Sequence, residues 1–395
     1  MSDFSKLGQY LDSLQDLYGM PMGDLCIMQD HEVIYRHSYG YADLARKVPV
    51  GKDHLYRLYS ATKPITMTAV LQLIERGKLG FDDLLKDYLP EYDKMTVADD
   101  FAMESYGNVV GQASVHPARN AIRIIDLMTM TAGFSYDTAD PNIAKLVKES
   151  GGTAATREII AALAKTPLLY EPGTRWCYSL SHDVLAAVVE VVSGMRFSDY
   201  LRTQIFEPLG AGDFYFHPED DPETAARICD IYQGVNDRPP FVEAEKSYRD
   251  QYCFTPHYDS GGAGLIASVD AYSLFADALA CKGTGRSGQQ ILSPDLVAGF
   301  SRAYTLSGAI RDDFDRLNRT GYEYGLGVRV LVDDSRSKSP VGEFGWDGAA
   351  GAYVLIDTKH RLSAFYAEHV LGFSDNYDVI HPQIRDLIYE GLIVQ

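Results

Sequence analysis

The segment from Ile65 to Ile74 constrains the fold more than any other part of this 395-residue chain. It reads ITMTAVLQLI, and a helix with that sequence is apolar on nearly every side, which is typical of a helix inside a protein. Pro64 suits the first turn of a helix because it has no N–H to donate, and Gly77 is a typical helix stop. We therefore predict a buried central helix that ends near Arg76.

Ser60 and Lys63 stand at the start of this helix, three residues apart. Residues at that spacing share a helix face, so the hydroxyl and the amine can make contact. Burial disfavours the charged ammonium and can lower the pKa of a lysine by ~3–5 units. Such a lysine can accept the proton of a neighbouring serine, and the free N–H groups at the helix start can stabilise an oxyanion. The pattern predicts a nucleophilic serine.

The S-x-x-K spacing occurs twice, so the spacing alone does not identify a nucleophile. The second copy runs from Ser335 to Lys338 in VDDSRSKSPVGE. That stretch is polar, rich in turn residues and followed by proline, and we predict a solvated loop there.

Composition and charge exclude several classes of function. The chain carries 36 basic and 55 acidic residues, a formal charge of −19, so neither nucleic acid nor an anionic membrane is an expected partner. Its five cysteines are scattered and include no C-x-x-C pair, which indicates neither a disulfide framework nor a zinc site. The N-terminus lacks signal-peptide features, and no stretch approaches the ~18 apolar residues of a membrane span. We predict a cytoplasmic protein without metal or cofactor.

Strand-like runs occur near both ends of the chain, and helical patterns dominate the middle. Two runs flank the turn QDHE, and three more lie in YGLGVRVLVDD, AAGAYVLIDTK and RLSAFYAEHV. We predict an α/β (α+β) fold in which residues 1–84 and 255–395 form an antiparallel sheet flanked by helices. A mostly helical domain, residues 85–254, is predicted to be inserted between them, with the active site at the interface.

The segment YRLYSATKPITMTAVLQLIERGKLGFDDLLKDYLPEY resembles the superfamily of serine β-lactamases and penicillin-binding proteins. It is most similar to the β-lactamase-like esterases and transesterases grouped as family VIII carboxylesterases. Four further segments follow in the order that this family has: IRIIDLMTMTAGF, LLYEPGTRWCYSLSHDVLAAVVEVVSG, YDSGGAGLIASVDAYSLFADALACKG and FGWDGAAGAYVLID. The resemblance implies a β-lactamase/transpeptidase-like fold and an acyl-enzyme formed on a serine.

The resemblance also implies the catalytic residues: Ser60 as nucleophile, with Lys63 and Tyr178 as its acid-base partners. The second motif of the family, Tyr-x-Asn, falls on Tyr178-Ser179-Leu180. A phenol near a lysine has a lowered pKa, so Tyr178 can accept the serine proton and return it to the leaving alcohol. The structural alternative is that Tyr178 is one of 27 tyrosines and simply packs between the two lobes.

The third motif of the family, Lys-Thr-Gly in true β-lactamases, falls on Trp346-Asp347-Gly348. The resemblance implies an oxyanion hole made of the backbone N–H groups of Ser60 and Ala349. The substrate-binding residues that it implies are Trp346, Asp347, Gly348 and Leu180. Small residues in GAAGAY suit a strand that a substrate approaches closely.

Two positions depart from the β-lactamase pattern, because Leu180 replaces an asparagine and Trp346 replaces a lysine. Neither side chain can hold the amide or carboxylate that β-lactamases and D,D-peptidases bind. We therefore predict a serine carboxylesterase, with lactone cleavage or acyl transfer as related reactions, acting on a small uncharged ester; the sequence indicates no oligomeric state. β-Lactamase activity, or D-amino-acid amidase or peptidase activity, is an alternative within the same class. A non-catalytic β-lactamase-like binding protein is the alternative of another class.

Overall fold

An eight-stranded antiparallel sheet lies at the centre of the fold, and both ends of the chain contribute strands to it. The computed structural model describes residues 2–99, 114–236, 238–305 and 307–392. In chain order, the strands β1 to β16 are Met22–Gln29, Glu32–Asp43, Val48–Pro49, Tyr56–Arg57, Thr96–Ala98, Val115–Pro117, Phe214–Tyr215, Tyr232–Gly234, Phe241–Glu243, Ile266–Ala267, Tyr322–Tyr324, Arg329–Leu331, Phe344–Gly345, Tyr353–Asp357, Leu362–Ala367 and Val370–Leu371. The large sheet has the order β11-β12-β13-β14-β15-β1-β2-β3, with every neighbouring pair antiparallel. The predicted mixed fold with an antiparallel sheet is confirmed.

Helices cover both faces of this sheet. In chain order, the helices α1 to α15 are Ser5–Tyr18, Lys63–Glu75, Leu85–Tyr88, Ile124–Met128, Pro141–Glu149, Thr156–Leu163, Ser181–Ser193, Phe197–Leu201, Glu207–Leu209, Pro222–Ala225, Lys246–Arg249, Val269–Ala280, Pro294–Phe300, Gly308–Asp315 and His381–Gly391. Helix α12 packs on β1, β14 and β15, while α1 packs on β2 and α15. Because both faces are covered, every residue of β14 and β15 is buried, and their sequences YVLID and LSAFYA are mostly apolar rather than alternating.

The central helix is confirmed as α2. It runs from Lys63 to Glu75, every residue from Lys63 to Leu73 is buried, and Gly77 follows with a left-handed φ of 64°. Helix α2 packs against α7 and α8, so its apolar surface is covered by other helices. The second S-x-x-K copy is a loop, in which the Lys338 amine pairs with Glu390.

The middle of the chain contains short strands as well as the predicted helices. Strand β10 pairs with β4 and β7, β8 pairs with β9 and β16, and β5 pairs with β6. These strands are two or three residues long and most have partners far away in sequence, so local patterns give little sign of them. The strands of the large sheet come from residues 22–49 and 322–367. The domain limits at 84 and 255 stay a prediction.

Among the described residues, no helix combines the length and the apolar character that crossing a membrane requires.

Candidate active site

Ser60 lies on a tight 3-10 turn, Tyr59–Thr62, that leads directly into α2. Tyr59 has a φ of 44°, in the left-handed region that non-glycine residues rarely occupy, and such conformations persist only where the surroundings hold them. The buried side chain of Tyr59 helps to stabilise this backbone conformation, because its hydroxyl donates to the carbonyl of Arg249 at 2.9 Å. The turn therefore fixes the position of the Ser60 hydroxyl ahead of the helix.

The Lys63 amine is buried beside this hydroxyl. Its Nζ lies 3.2 Å from Ser60 Oγ, 2.8 Å from the carbonyl oxygen of Gly262 and 3.4 Å from Tyr136 Oη. Burial lowers the pKa of Lys63 to about 7, and the negative charge of Asp183 opposes this effect in part. A substantial fraction of the amine is therefore neutral near pH 7 and able to accept a proton.

Asp183, in the first turn of α7, anchors the loop that holds Lys63. Its Oδ1 accepts hydrogen bonds from Tyr258 Oη and Ser260 Oγ, both at 2.6 Å, and from the Gly262 N–H at 3.3 Å. Residue 262 must be a glycine for steric reasons, since a Cβ there would lie 2.5 Å from Asp183 Oδ2 and 3.5 Å from Lys63 Nζ. Asp183 was not predicted as a site residue.

Tyr178 and Trp346 complete the other side of the site. Lys63 Nζ lies 4.5 Å from the centre of the Tyr178 ring, and Trp346 Nε1 donates to Tyr178 Oη at 3.0 Å. The two aromatic rings are stacked with their centres 5.6 Å apart. The structure therefore brings four predicted residues, Ser60, Lys63, Tyr178 and Trp346, into one cluster.

Tyr136 belongs to the same cluster and was missed by the sequence analysis. Its ring stacks on Tyr178 with centres 5.1 Å apart and meets Tyr252 edge-on at 5.6 Å. Burial and the neighbouring Tyr178 raise the pKa of the Tyr136 hydroxyl well above its usual value, so it stays protonated. Nothing in the local sequence GFSYDT distinguishes this tyrosine from the others in the chain.

The backbone at Gly348 and Ala349 is held close to the serine turn. A Cβ at Gly348 would lie 2.3 Å from the carbonyl oxygen of Leu58, so only glycine allows this approach. Tyr377 Oη lies 2.9 Å from the Gly348 carbonyl oxygen and 3.0 Å from that of Ala349. In a trans peptide the N–H points opposite to the preceding carbonyl, so the Ala349 N–H points away from Tyr377.

Asp347 and Leu180 have protein partners rather than a place in this cluster. The Asp347 carboxylate pairs with Arg329 at 3.1 Å and with Arg319 at 2.9 Å. Burial alone would raise the pKa of Asp347, but these two positive charges hold it below its usual value. Leu180 is buried in the main hydrophobic core. The structure does not bring these two side chains together with Ser60 and Lys63.

Asp347→Asn is therefore expected to destabilise the fold. The change leaves the buried guanidinium of Arg329 without its nearest negative charge, and breaking a buried ion pair costs about 3–5 kcal/mol. Urea unfolding followed by circular dichroism measures the loss. Asp333→Asn, at an exposed carboxylate, is the matched control and is expected to stay within about 0.5 kcal/mol of the parent protein. Equal stability of the two variants would show that the Asp347–Arg329 ion pair does not stabilise the fold by this amount.

A cavity of about 190 Å³ lies beside the cluster. Tyr59 and Tyr252 form its wall toward Ser60, and Tyr252 contacts both Tyr59 and Tyr136 edge-on. Ser260 and Ala263, on either side of the glycine carbonyl that holds Lys63, line the cavity as well. Ser60, Lys63, Tyr178 and Trp346 do not line this cavity, so it is a neighbour of the cluster and not the cluster's own opening.

One group of described residues has metal-ligating atoms close together, and it lies outside this cluster. The ligand atoms of His31, Asp277 and Cys281 are within 4.8 Å of one another. His31 Nδ1 already lies 2.7 Å from Asp277 Oδ2, and Arg361 faces Cys281 with a positive charge that disfavours a cation. These contacts explain why the three side chains lie together, and we interpret the group as structural.

The sequence model of the β-lactamase family matches residues 7–385. This chain belongs to the β-lactamase family. Curated relatives include the esterase EstB of Burkholderia gladioli, 28% identical with 93% of this chain and 91% of EstB covered. Another relative is a Salmonella typhimurium protein provisionally named a D-alanyl-D-alanine carboxypeptidase, 30% identical with 95% and 84% covered.

Solved structures agree with this assignment. The structure of EstCE1, a hydrolase with promiscuous acyltransferase activity, has a TM-score of 0.76 at 25% identity and covers 98% of both chains. The predicted β-lactamase/transpeptidase-like fold is confirmed over nearly the whole chain. Family membership together with the esterase relatives supports a hydrolase.

Proposed function

We propose that the protein is a serine hydrolase that cleaves carboxylic esters through an acyl-enzyme on Ser60. The observation that carries the proposal is the buried Lys63 amine, 3.2 Å from Ser60 Oγ and with a pKa lowered to about 7. An ordinary lysine is almost entirely charged at neutral pH and cannot take a proton from a serine. This one can, and it touches the hydroxyl that needs a base.

The proposed reaction begins when Ser60 Oγ attacks the ester carbonyl and its proton passes to Lys63. The Tyr178 phenol, under the lysine and bound to Trp346, is proposed to return a proton to the leaving alcohol. The N–H groups of Ser60 and Ala349 are proposed to hold the oxyanion. Water or a second alcohol then attacks the acyl-enzyme, which gives hydrolysis or acyl transfer by the same chemistry.

The substrate class follows from the side chains around the nucleophile. Aromatic rings form a continuous row beside Ser60 and Lys63, in the order Trp346, Tyr178, Tyr136, Tyr252 and Tyr59. Such a wall favours contact with uncharged acyl or alcohol groups. The relatives named esterase EstB and EstCE1 are in keeping with ester substrates.

Cleavage of D-alanyl peptides is the second candidate, because one relative carries that name. A peptide substrate of that kind ends in a carboxylate, which needs a positive partner when it is taken out of water. Trp346 occupies the position of the motif lysine and offers one N–H, which already binds Tyr178. Ester cleavage is therefore the preferred proposal.

Two measurements test the proposal together. A fluorophosphonate probe is expected to label the protein once, on the peptide that contains Ser60. Turnover of p-nitrophenyl acetate and butyrate is expected to exceed turnover of nitrocefin and of D-alanyl-D-alanine. Labelling elsewhere, or faster turnover of the β-lactam or the dipeptide, would contradict ester cleavage at Ser60.

The dependence of kcat/KM on pH should follow the Lys63 amine. Since the base must be neutral, activity is expected to rise through about pH 7 and then level off. Asp183→Asn removes the negative charge that raises the pKa of Lys63, so the rising limb should shift to lower pH. The asparagine oxygen has two lone pairs and can still accept the two short hydrogen bonds from Tyr258 and Ser260. Asp16→Asn, at an exposed position, is the control with an unchanged profile.

A further inference from the structure

Residues 348–351 form a tight turn, and this turn carries the Ala349 N–H of the proposed oxyanion hole. The Gly351 N–H donates to the Gly348 carbonyl at 3.0 Å, and the Gly348 N–H donates to the Ala352 carbonyl at 2.7 Å. Within the part of the chain that the structure describes, the Ala349 N–H has no hydrogen-bond acceptor. It is therefore available to a bound group, provided that the turn holds it in a fixed direction.

Two side chains near the C-terminus bind the carbonyl groups of this turn. Tyr377 Oη lies 2.9 Å from the Gly348 oxygen and 3.0 Å from the Ala349 oxygen, so one phenol proton is shared between two carbonyls. His381 Nε2 lies 3.1 Å from the Gly351 carbonyl oxygen, at the end of the turn. The Gly348 carbonyl and the Ala349 N–H belong to one planar peptide group, so the Tyr377 hydroxyl fixes the direction of both.

The Tyr377 ring is itself held by contacts on the far side of the turn. The Arg319 guanidinium lies over this ring, 4.9 Å from its centre, and the same guanidinium pairs with the Asp347 carboxylate at 2.9 Å. The His381 ring meets the Tyr377 ring edge-on, with the two centres 5.5 Å apart. Asp347 is therefore connected to the proposed oxyanion hole through Arg319 and Tyr377, although its side chain lies outside the cluster around Ser60.

We propose that Tyr377 is a positioning residue for the oxyanion hole, because its hydroxyl holds the Gly348–Ala349 peptide with the N–H directed to the substrate side. The inference rests on the proposed ester cleavage at Ser60. Glycine at 348 tolerates rotation of this peptide, so without the phenol the Ala349 N–H would face the oxyanion for only part of the time. The cost falls on the transition state, because an ester carbonyl in the ground state carries little negative charge.

Tyr377→Phe removes only the hydroxyl, and it is expected to lower kcat for p-nitrophenyl butyrate about thirtyfold while KM changes less than about twofold. KM should stay nearly constant because acylation and deacylation both pass through an oxyanion. Tyr92→Phe is the matched control, since Tyr92 Oη donates to the Ile160 carbonyl at 2.7 Å, in helix α6. It should keep the kcat and KM of the parent protein. An unchanged kcat in Tyr377→Phe, or a change in KM alone, would overturn the proposal.

A trifluoromethyl ketone inhibitor distinguishes loss of oxyanion binding from a general loss of structure. A nucleophilic serine adds to such a ketone and forms a tetrahedral oxyanion, which resembles the transition state. The inhibition constant of the ketone should therefore rise in Tyr377→Phe by about the factor by which kcat falls. Butyrate, a planar product, should inhibit the parent protein and the variant equally. If turnover fell while the affinity for the ketone stayed the same, Tyr377 would not act through the oxyanion hole.

Hydrogen exchange followed by mass spectrometry measures the stability of the turn without any substrate. In Tyr377→Phe the peptide that contains residues 348–352 should exchange about tenfold faster than in the parent protein, because the turn opens more often. Peptides from the rest of the chain should exchange at the parent rate. Unchanged exchange in the turn would contradict the proposed role of the hydroxyl. Should the parent protein cleave no ester, the proposed function fails, while hydrogen exchange still decides whether Tyr377 holds the turn.

Discussion

Ser60→Ala is expected to lower the turnover of p-nitrophenyl butyrate by about 10⁴-fold or more. Without the hydroxyl no acyl-enzyme can form, and removal of the nucleophile from a serine hydrolase costs catalysis on this scale. The neighbouring amine, the aromatic wall and the backbone N–H groups remain in place, so binding should persist with little chemistry. Steady-state kinetics measure the loss of turnover, and a fluorophosphonate probe measures the loss of labelling. Ser60→Ala should lose both.

The chain supplies a matched control in its second S-x-x-K copy. Ser335→Ala changes a serine with the same spacing to a lysine, in an exposed loop. It should leave both turnover and labelling unchanged, and both alanine variants should unfold at the parent urea concentration. Ester turnover that survives Ser60→Ala at a tenth of the parent rate would place the nucleophile elsewhere.

The contrast between these two copies shows what the sequence was able to predict. Ser60 and Lys63 are neighbours in the chain, and helix geometry alone brings residues three apart into contact. The apolar run after Lys63 predicted burial, and the structure buries the amine completely. The same reasoning predicted a solvated loop around Lys338, where the structure has one. Local chemistry was sufficient because the contact itself is local.

The residues that the sequence did not reveal reach the site from far away in the chain. Tyr136 contacts Lys63 across 73 residues, and the Gly262 carbonyl does so across 199. Asp183 acts through a loop that begins about 75 residues later. Such contacts depend on how helices and loops pack in three dimensions, and no motif recorded them. Tyr178 and Trp346 were found only through the family resemblance, not through their own local sequence.

The position of Asp347 could have been predicted from strand geometry. Successive side chains of an extended segment point to opposite faces. Once Trp346 is assigned to the face that meets Tyr178, its neighbour must face the other way, and there the structure has Arg329 and Arg319. The resemblance implied substrate contacts for Trp346, Asp347 and Gly348 together, and that assignment stays a prediction.

Lys63→Met should lower kcat/KM for p-nitrophenyl esters by about 10³-fold, because it removes the base while keeping side-chain length and an apolar interior. The variant should fold, since a buried methionine has no amine to desolvate. Its remaining activity should no longer rise through pH 7, which separates loss of the base from a general loss of structure.

Lys63→Arg gives the decisive comparison with the methionine variant. A guanidinium restores the positive charge but cannot be deprotonated at these pH values, so it should not restore turnover. If the role of Lys63 were to hold charge near the oxyanion, the arginine variant would recover activity and the methionine variant would not. Lys338→Met, in the exposed second copy, is the control and should match the parent protein. If Lys63 acts as a neutral proton acceptor, the methionine and the arginine variants should both lose turnover.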